Sequence, residues 1–224
     1  QNISYLGSEQ IQALNTSAVS GLTTSQLTQL TTAQIKAVST EQMRALTASQ
    51  VTAMTTAQAG ALSADQLSAL GVSALGAMNR FNIEALSNTT ISALSTSVIR
   101  SLSNTQISGI STSQLSVLSD EQVKSITSSQ LNSFSPTLFT KLSGSQLQAI
   151  DVSTFSAISS SLVAYLSKDQ IPSLTVNQVG GMTTAQIRTF SQEMLDSMTS
   201  DQASALTAAQ KAAIVVAGRT VPGA

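Results

Sequence analysis

Thr31-Thr32-Ala33-Gln34-Ile35-Lys36-Ala37-Val38 is one eight-residue unit, and almost the whole chain consists of variants of it. With its positions labelled a to h, from Thr31 at a to Val38 at h, the same register runs without insertion from Gly7 to Ile214, giving 26 octads. Position a is Ser or Thr in 21 of them, and the exceptions are Gly7, Asn15, Gly71, Asn79 and Asp151. Position d is Gln in 17 of the 26, and position h is always Leu, Ile, Met, Val or Phe.

A period of eight has a physical source. Ser or Thr followed three residues later by Gln is a capping box: the hydroxyl accepts from the N3 amide, and the N3 side chain reaches back to the cap amide. Positions a and d have this spacing, as in Thr31 with Gln34, Thr55 with Gln58 and Thr183 with Gln186. The five exceptions at a are also accepted cap residues. Positions e and h form an apolar i,i+3 pair on one helical face. Each octad therefore reads as a short helix capped at a.

The charges point the same way. Nine of the eleven acids fall at a, b or c, and most bases fall at f or g, among them Lys36, Arg44, Arg100, Lys124, Lys141 and Arg188. Acids early and bases late complement a helix dipole, so the dipole restarts every eight residues. One continuous helix fails on arithmetic. At about 100° per residue, eight residues overshoot two turns by roughly 80°, and no face stays apolar. A strand, with period two, would put e and h on opposite faces. The expected fold is an all-α solenoid of short capped helices, one per octad, with residues 1–214 as a single repeat domain and 215–224 as a non-repeat tail.

Isolated helices this short are unstable in water, so stacked neighbours must hold them. Each cap contributes about 1 kcal/mol and each buried e or h side chain roughly 1.5–3 kcal/mol. Three or four octads per coil would make a spiral and two a thin hairpin stack; the spiral is the expectation, with small residues at g allowing close approach. The glutamine at d has two compatible readings, a local capping box and a ladder of hydrogen bonds between stacked coils. The glutamine pattern lapses at Ala74, Asn82, Thr90 and Val98, and again at Leu138, Thr154 and Leu162. Pro172 at f removes a backbone donor inside its helix, which predicts a kinked or frayed turn, and Gly180-Gly181 are expected to loosen the same neighbourhood. Lys211 at an apolar e position suggests a last octad facing water.

Composition narrows the function. The chain has no His and no Cys, which removes the usual catalytic triads, thiol sites and zinc sites. Charged residues make up 9% with a net charge of −1, so there is no basic face for nucleic acid and no polybasic membrane patch. No apolar run approaches a bilayer span. The expectation is a protein that is not an enzyme, has no cofactor or metal, and inserts in no membrane. The start at Gln1 suits a processed chain or a fragment equally. Ile3, Tyr5 and Leu6 supply e, g and h of an earlier octad, and Val215 and Val216 continue the chain as apolar residues. These five are the candidate self-assembly positions, for end-to-end association or for contact with neighbouring repeats of a longer chain.

Thr-Thr-Ala-Gln-Ile at 31–35 and 183–187 and Ser-Thr-Glu-Gln-Met at 39–43 resemble the octapeptide repeats of large bacterial secreted and cell-surface proteins. The resemblance covers nearly the whole chain and implies an extracellular, adhesin-like or scaffolding role, as a stalk or as a filament subunit. It brings no catalytic residues. The rival expectations are a solenoid binding module for a protein or glycan, and an ice-binding array made of paired threonines such as Thr23-Thr24 and Thr55-Thr56.

Overall fold

A computed structural model describes residues 3–223. Among them there are only helices: 25 α-helices, two short 3-10 segments and no strand. Each α-helix has four to six residues, except the last, Ala208–Val216, which has nine. The chain divides into two compact units, 1–118 and 119–224.

The link between octads needs no glycine. The cap residue is extended, as at Thr31 (φ −71°, ψ 161°), and so is Val38 at h (φ −62°, ψ 124°). Each helix thus ends in an extended h–a pair that redirects the chain into the next helix. Among the described residues the only positive φ values are at Gly218 and Gly223, both beyond the last octad.

Both units are solenoids in which helices three octads apart pack together. In the first unit, Ser8–Gln12 lies against Thr32–Ala37, and Thr40–Arg44 against Ala64–Ala69. In the second, Val152–Ser156 lies against Val176–Gly181, and Thr184–Ile187 against Ala208–Val216. The e and h side chains fill the core of each unit. Every e residue from Ile11 to Leu195 and every h residue from Leu30 to Phe190 is buried. Only the first and last turns depart from this, with Leu14, Leu22, Met198 and Ala203 half-buried and Lys211 exposed.

Small residues sit where these packed helices come closest. A Cβ on Gly60 would lie 2.7 Å from the carbonyl oxygen of Ala85, and one on Gly109 would lie 2.7 Å from that of Arg80. Gly180-Gly181 also belong here, and the expected loosening does not occur. They end a regular helix, Val176–Gly181, with a complete capping box, and a Cβ on Gly181 would meet Val152 Cγ1 at 2.5 Å. They serve close packing instead. Pro172 behaves as its chemistry predicts: its octad carries only the 3-10 segment Ile171–Ser173 in place of an α-helix.

Candidate functional site

The residue with the most structural consequence is the glutamine at d. All 17 accept a hydrogen bond at Oε1 from the backbone N–H of their own octad's first residue, at 2.6–3.0 Å. In 15 of them the cap hydroxyl also accepts from the glutamine N–H, completing the box. The other two are incomplete: Gly7 has no hydroxyl to offer Gln10, and Gln170 N donates to the Ser167 carbonyl instead.

The same carboxamide then uses its nitrogen on another coil. Gln34 Nε2 donates to the carbonyls of Ile3 (3.0 Å) and Leu6 (2.6 Å). Gln58 reaches Leu27 (2.7 Å) and Leu30 (2.9 Å), and Gln186 reaches Phe155 and Ile158 (2.9 Å each). Within each unit, from Gln34 to Gln114 and from Gln170 to Gln210, the acceptors are the h carbonyl 28 residues back and, except for Gln170, the e carbonyl 31 residues back. A step of 28 residues is three and a half octads. Both carbonyls belong to the fourth octad before, while the helices of each unit pack on the third, and both readings of the glutamine hold together. With two N–H donors and one oxygen all bonded, the side chain can be buried without an unmet polar atom; Gln114, Gln178, Gln186 and Gln202 are each 1% exposed.

The structure brings the predicted positions together unevenly. The caps Thr31, Thr55 and Thr183 and their glutamines all close boxes. Ile3 is buried and Leu6 half-buried, and both are held by Gln34, whereas Tyr5 is 85% exposed. Val215 and Val216 lie on the last turn of Ala208–Val216, exposed. That helix stops in a Schellman motif: Arg219 N–H donates to Ile214 O and Gly218 N–H to Val215 O, with Gly218 at φ 74°. The tail then folds back. Arg219 Nη1 donates to Arg188 O at 2.7 Å, and Thr220 N–H donates to Gln192 Oε1 at 3.0 Å.

Two positions where the glutamine pattern lapses still carry the link. Asn82 Nδ2 donates to Met54 O (3.2 Å) and Thr90 Oγ1 to Leu62 O (2.9 Å). The shorter Asn82 cannot do everything a glutamine does, and its Oδ1 is buried without a partner. The sequence signal for the link was the absence of glutamate at d in all 26 octads, since a capping box by itself takes Glu as readily as Gln.

Residues 3–40 and 36–72 match the ALTTAQ repeat family. The six letters of that description fall on positions g, h, a, b, c and d, as in Ala53-Met54-Thr55-Thr56-Ala57-Gln58. The ALTTAQ pattern thus holds the small packing residue, a core residue, the cap and the glutamine of the link. A comparison with curated proteins finds no match.

A small apolar hollow lies between e and h side chains of the first octads, including Ile11, Leu14, Val19 and Leu22. At about 10 Å³ it holds little more than one water-sized sphere. Among the described residues no three His, Cys, Asp or Glu side chains gather as a metal would need, and no helix is long and apolar enough to cross a membrane.

Proposed function

We propose that this chain is a non-enzymatic structural element that works outside the cell, as a stalk or filament segment of the kind found in adhesin-like surface proteins. One observation carries the reading. The carboxamide at d, present in 17 of the 26 octads, is spent on holding its own cap and carbonyls 28 and 31 residues back. A device repeated at this spacing adds length without requiring a new core, which is the property of a spacer.

The location rests on composition and resemblance. Heavy use of Ser, Thr and Gln, the absence of Cys and the scarcity of Lys suit a secreted or surface chain, and the octads resemble those of bacterial surface proteins. An antibody raised against the purified chain tests this on cells that make it. Labelling of intact cells is the expected result. Labelling that appears only after permeabilisation would overturn the reading.

A further inference from the structure

Position d of the octad at 191–198 holds Met194 where most octads hold glutamine. The capping box nevertheless closes. Ser191 Oγ accepts from Met194 N–H at 3.2 Å, and Met194 Sδ accepts from Ser191 N–H at 3.4 Å. Among the described residues, Met194 is the one d side chain other than glutamine that bonds the first N–H of its own octad. A thioether is only a weak acceptor. Oxidation would change that. Beyond Cγ, glutamine carries a carbon bearing Oε1 and Nε2, whereas methionine sulfoxide carries a sulfur bearing one oxygen and Cε. The sulfoxide therefore supplies the oxygen acceptor used in the glutamine boxes, with a methyl group in place of the donor.

We propose that Met194 is an oxidation site at which the sulfoxide completes the cap instead of damaging the fold. The reactant is a peroxide. The Met194 sulfur attacks one peroxide oxygen, and an S–O bond forms as the O–O bond breaks. The proton on the transferred oxygen leaves with the departing hydroxide as water, and sulfur loses the electron pair that peroxide gains. The Ser191 N–H already points at the sulfur, where it stabilises the negative charge gathering on the new oxygen. Among the described residues no donor reaches the sulfur of the other methionines, which stand at the core positions: Met43 at e, and Met54, Met78, Met182 and Met198 at h. A sulfoxide oxygen there carries the cost of an unmet polar group in an apolar core. Met182 is the sharpest comparison, because it and Met194 are both 5% exposed. Exposure cannot separate the two, so a difference in their oxidation reports the N–H.

The test treats the folded chain with hydrogen peroxide, in the wild type and in a Met198→Leu variant that removes the half-buried thioether. Peptide mass mapping locates the added oxygen, amide exchange reads Ser191, and melting curves report the fold. Met194 should gain oxygen several-fold faster than Met182. Exchange at Ser191 should then slow several-fold, and Met194 sulfoxide alone should not lower the melting temperature. Met194→Gln carries the oxygen acceptor permanently, so its Ser191 should be protected before peroxide is added and unchanged afterwards. Met194→Leu should leave Ser191 unprotected under both conditions. Equal oxidation of Met182 and Met194, exchange at Ser191 that does not slow, or a melting temperature lowered by Met194 sulfoxide would overturn the proposal. The same slowing at Ser191 in peroxide-treated Met194→Leu would also overturn it, because the effect would then arise elsewhere.

Discussion

Gln186 Nε2 lies 2.9 Å from the carbonyl oxygen of Phe155, 31 residues earlier in the chain. Its Oε1 meanwhile accepts from Thr183 N–H at 2.8 Å. One carboxamide joins a cap in one turn to the end of a helix in another, and it is 1% exposed while doing so. An amide can donate and accept at once. A carboxylate can only accept.

This relationship predicts different outcomes for two substitutions. Gln186→Ala should destabilise the fold by about 1–3 kcal/mol, since it takes the hydrogen-bond partner from the Ile158 carbonyl and from the Thr183 N–H. Gln186→Glu keeps the box, yet at neutral pH it buries a charge against the carbonyls of Phe155 and Ile158. Burial raises the folded pKa of such a carboxyl above its unfolded value of about 4.3. The stability of the variant is therefore fully present below that unfolded value, where the protonated acid donates to a carbonyl, and is lost as pH rises through the folded pKa. Urea denaturation at about pH 4 and about pH 7.5, each against the wild type at the same pH, reads the difference. A Glu variant as stable as the wild type at both would mean that the side chain serves only as a cap.

The octad, its caps and the e/h core were legible because each is local: a period, an i,i+3 hydrogen bond and one helical face. The length of a coil was not legible. The octads resemble one another so closely that a register of two, three or four per turn satisfies the same sequence equally well. Only contacts between turns choose, and those are made by d with e and h carbonyls, groups that every residue possesses. Gly181 went unread for the same reason. Its meaning lies in Val152, 29 residues away, and a double glycine seen alone resembles a flexible spot.

Asn82 offers a gain of stability. Its nitrogen reaches Met54 O, but its Oδ1 is buried and unmet, and the Asn79 N–H lacks the side-chain acceptor found in the glutamine octads. Asn82→Gln should restore the box and both links, raising stability by about 1 kcal/mol. Differential scanning calorimetry would show a higher melting temperature. A lower one would mean that the extra methylene does not fit against the octad at 47–54.

Glycine to alanine should change sign with position. In an exposed helix the substitution ordinarily stabilises by about 0.5–1 kcal/mol. Gly76 follows that rule, because it is exposed and its Cβ would meet nothing within 4 Å. Gly60 occupies the same position f, but its Cβ would lie 2.7 Å from the Ala85 carbonyl oxygen. Gly60→Ala should therefore lose about 1–3 kcal/mol through overpacking. Chemical denaturation of the two variants side by side decides. Equal effects would remove the close approach of helices three octads apart as a determinant of the fold.

The tail tests whether the end of the array is held by backbone geometry. Gly218 adopts φ 74° and lets the chain turn back, so that Arg219 reaches Arg188 O and Thr220 reaches Gln192. A Cβ at this φ costs about 1 kcal/mol or more, although nothing lies within 4 Å to block it. Gly218→Ala should therefore release the tail without disturbing the octads. Amide exchange reads both parts at once. Protection at Thr220, whose N–H is bonded to Gln192 Oε1, should fall several-fold, while that at Ile187, bonded to Thr183 O inside its own octad, should stay as in the wild type. If Thr220 keeps its protection, the side-chain bonds of Arg219 and Gln192 hold the tail by themselves, and the left-handed turn at Gly218 is incidental to its path.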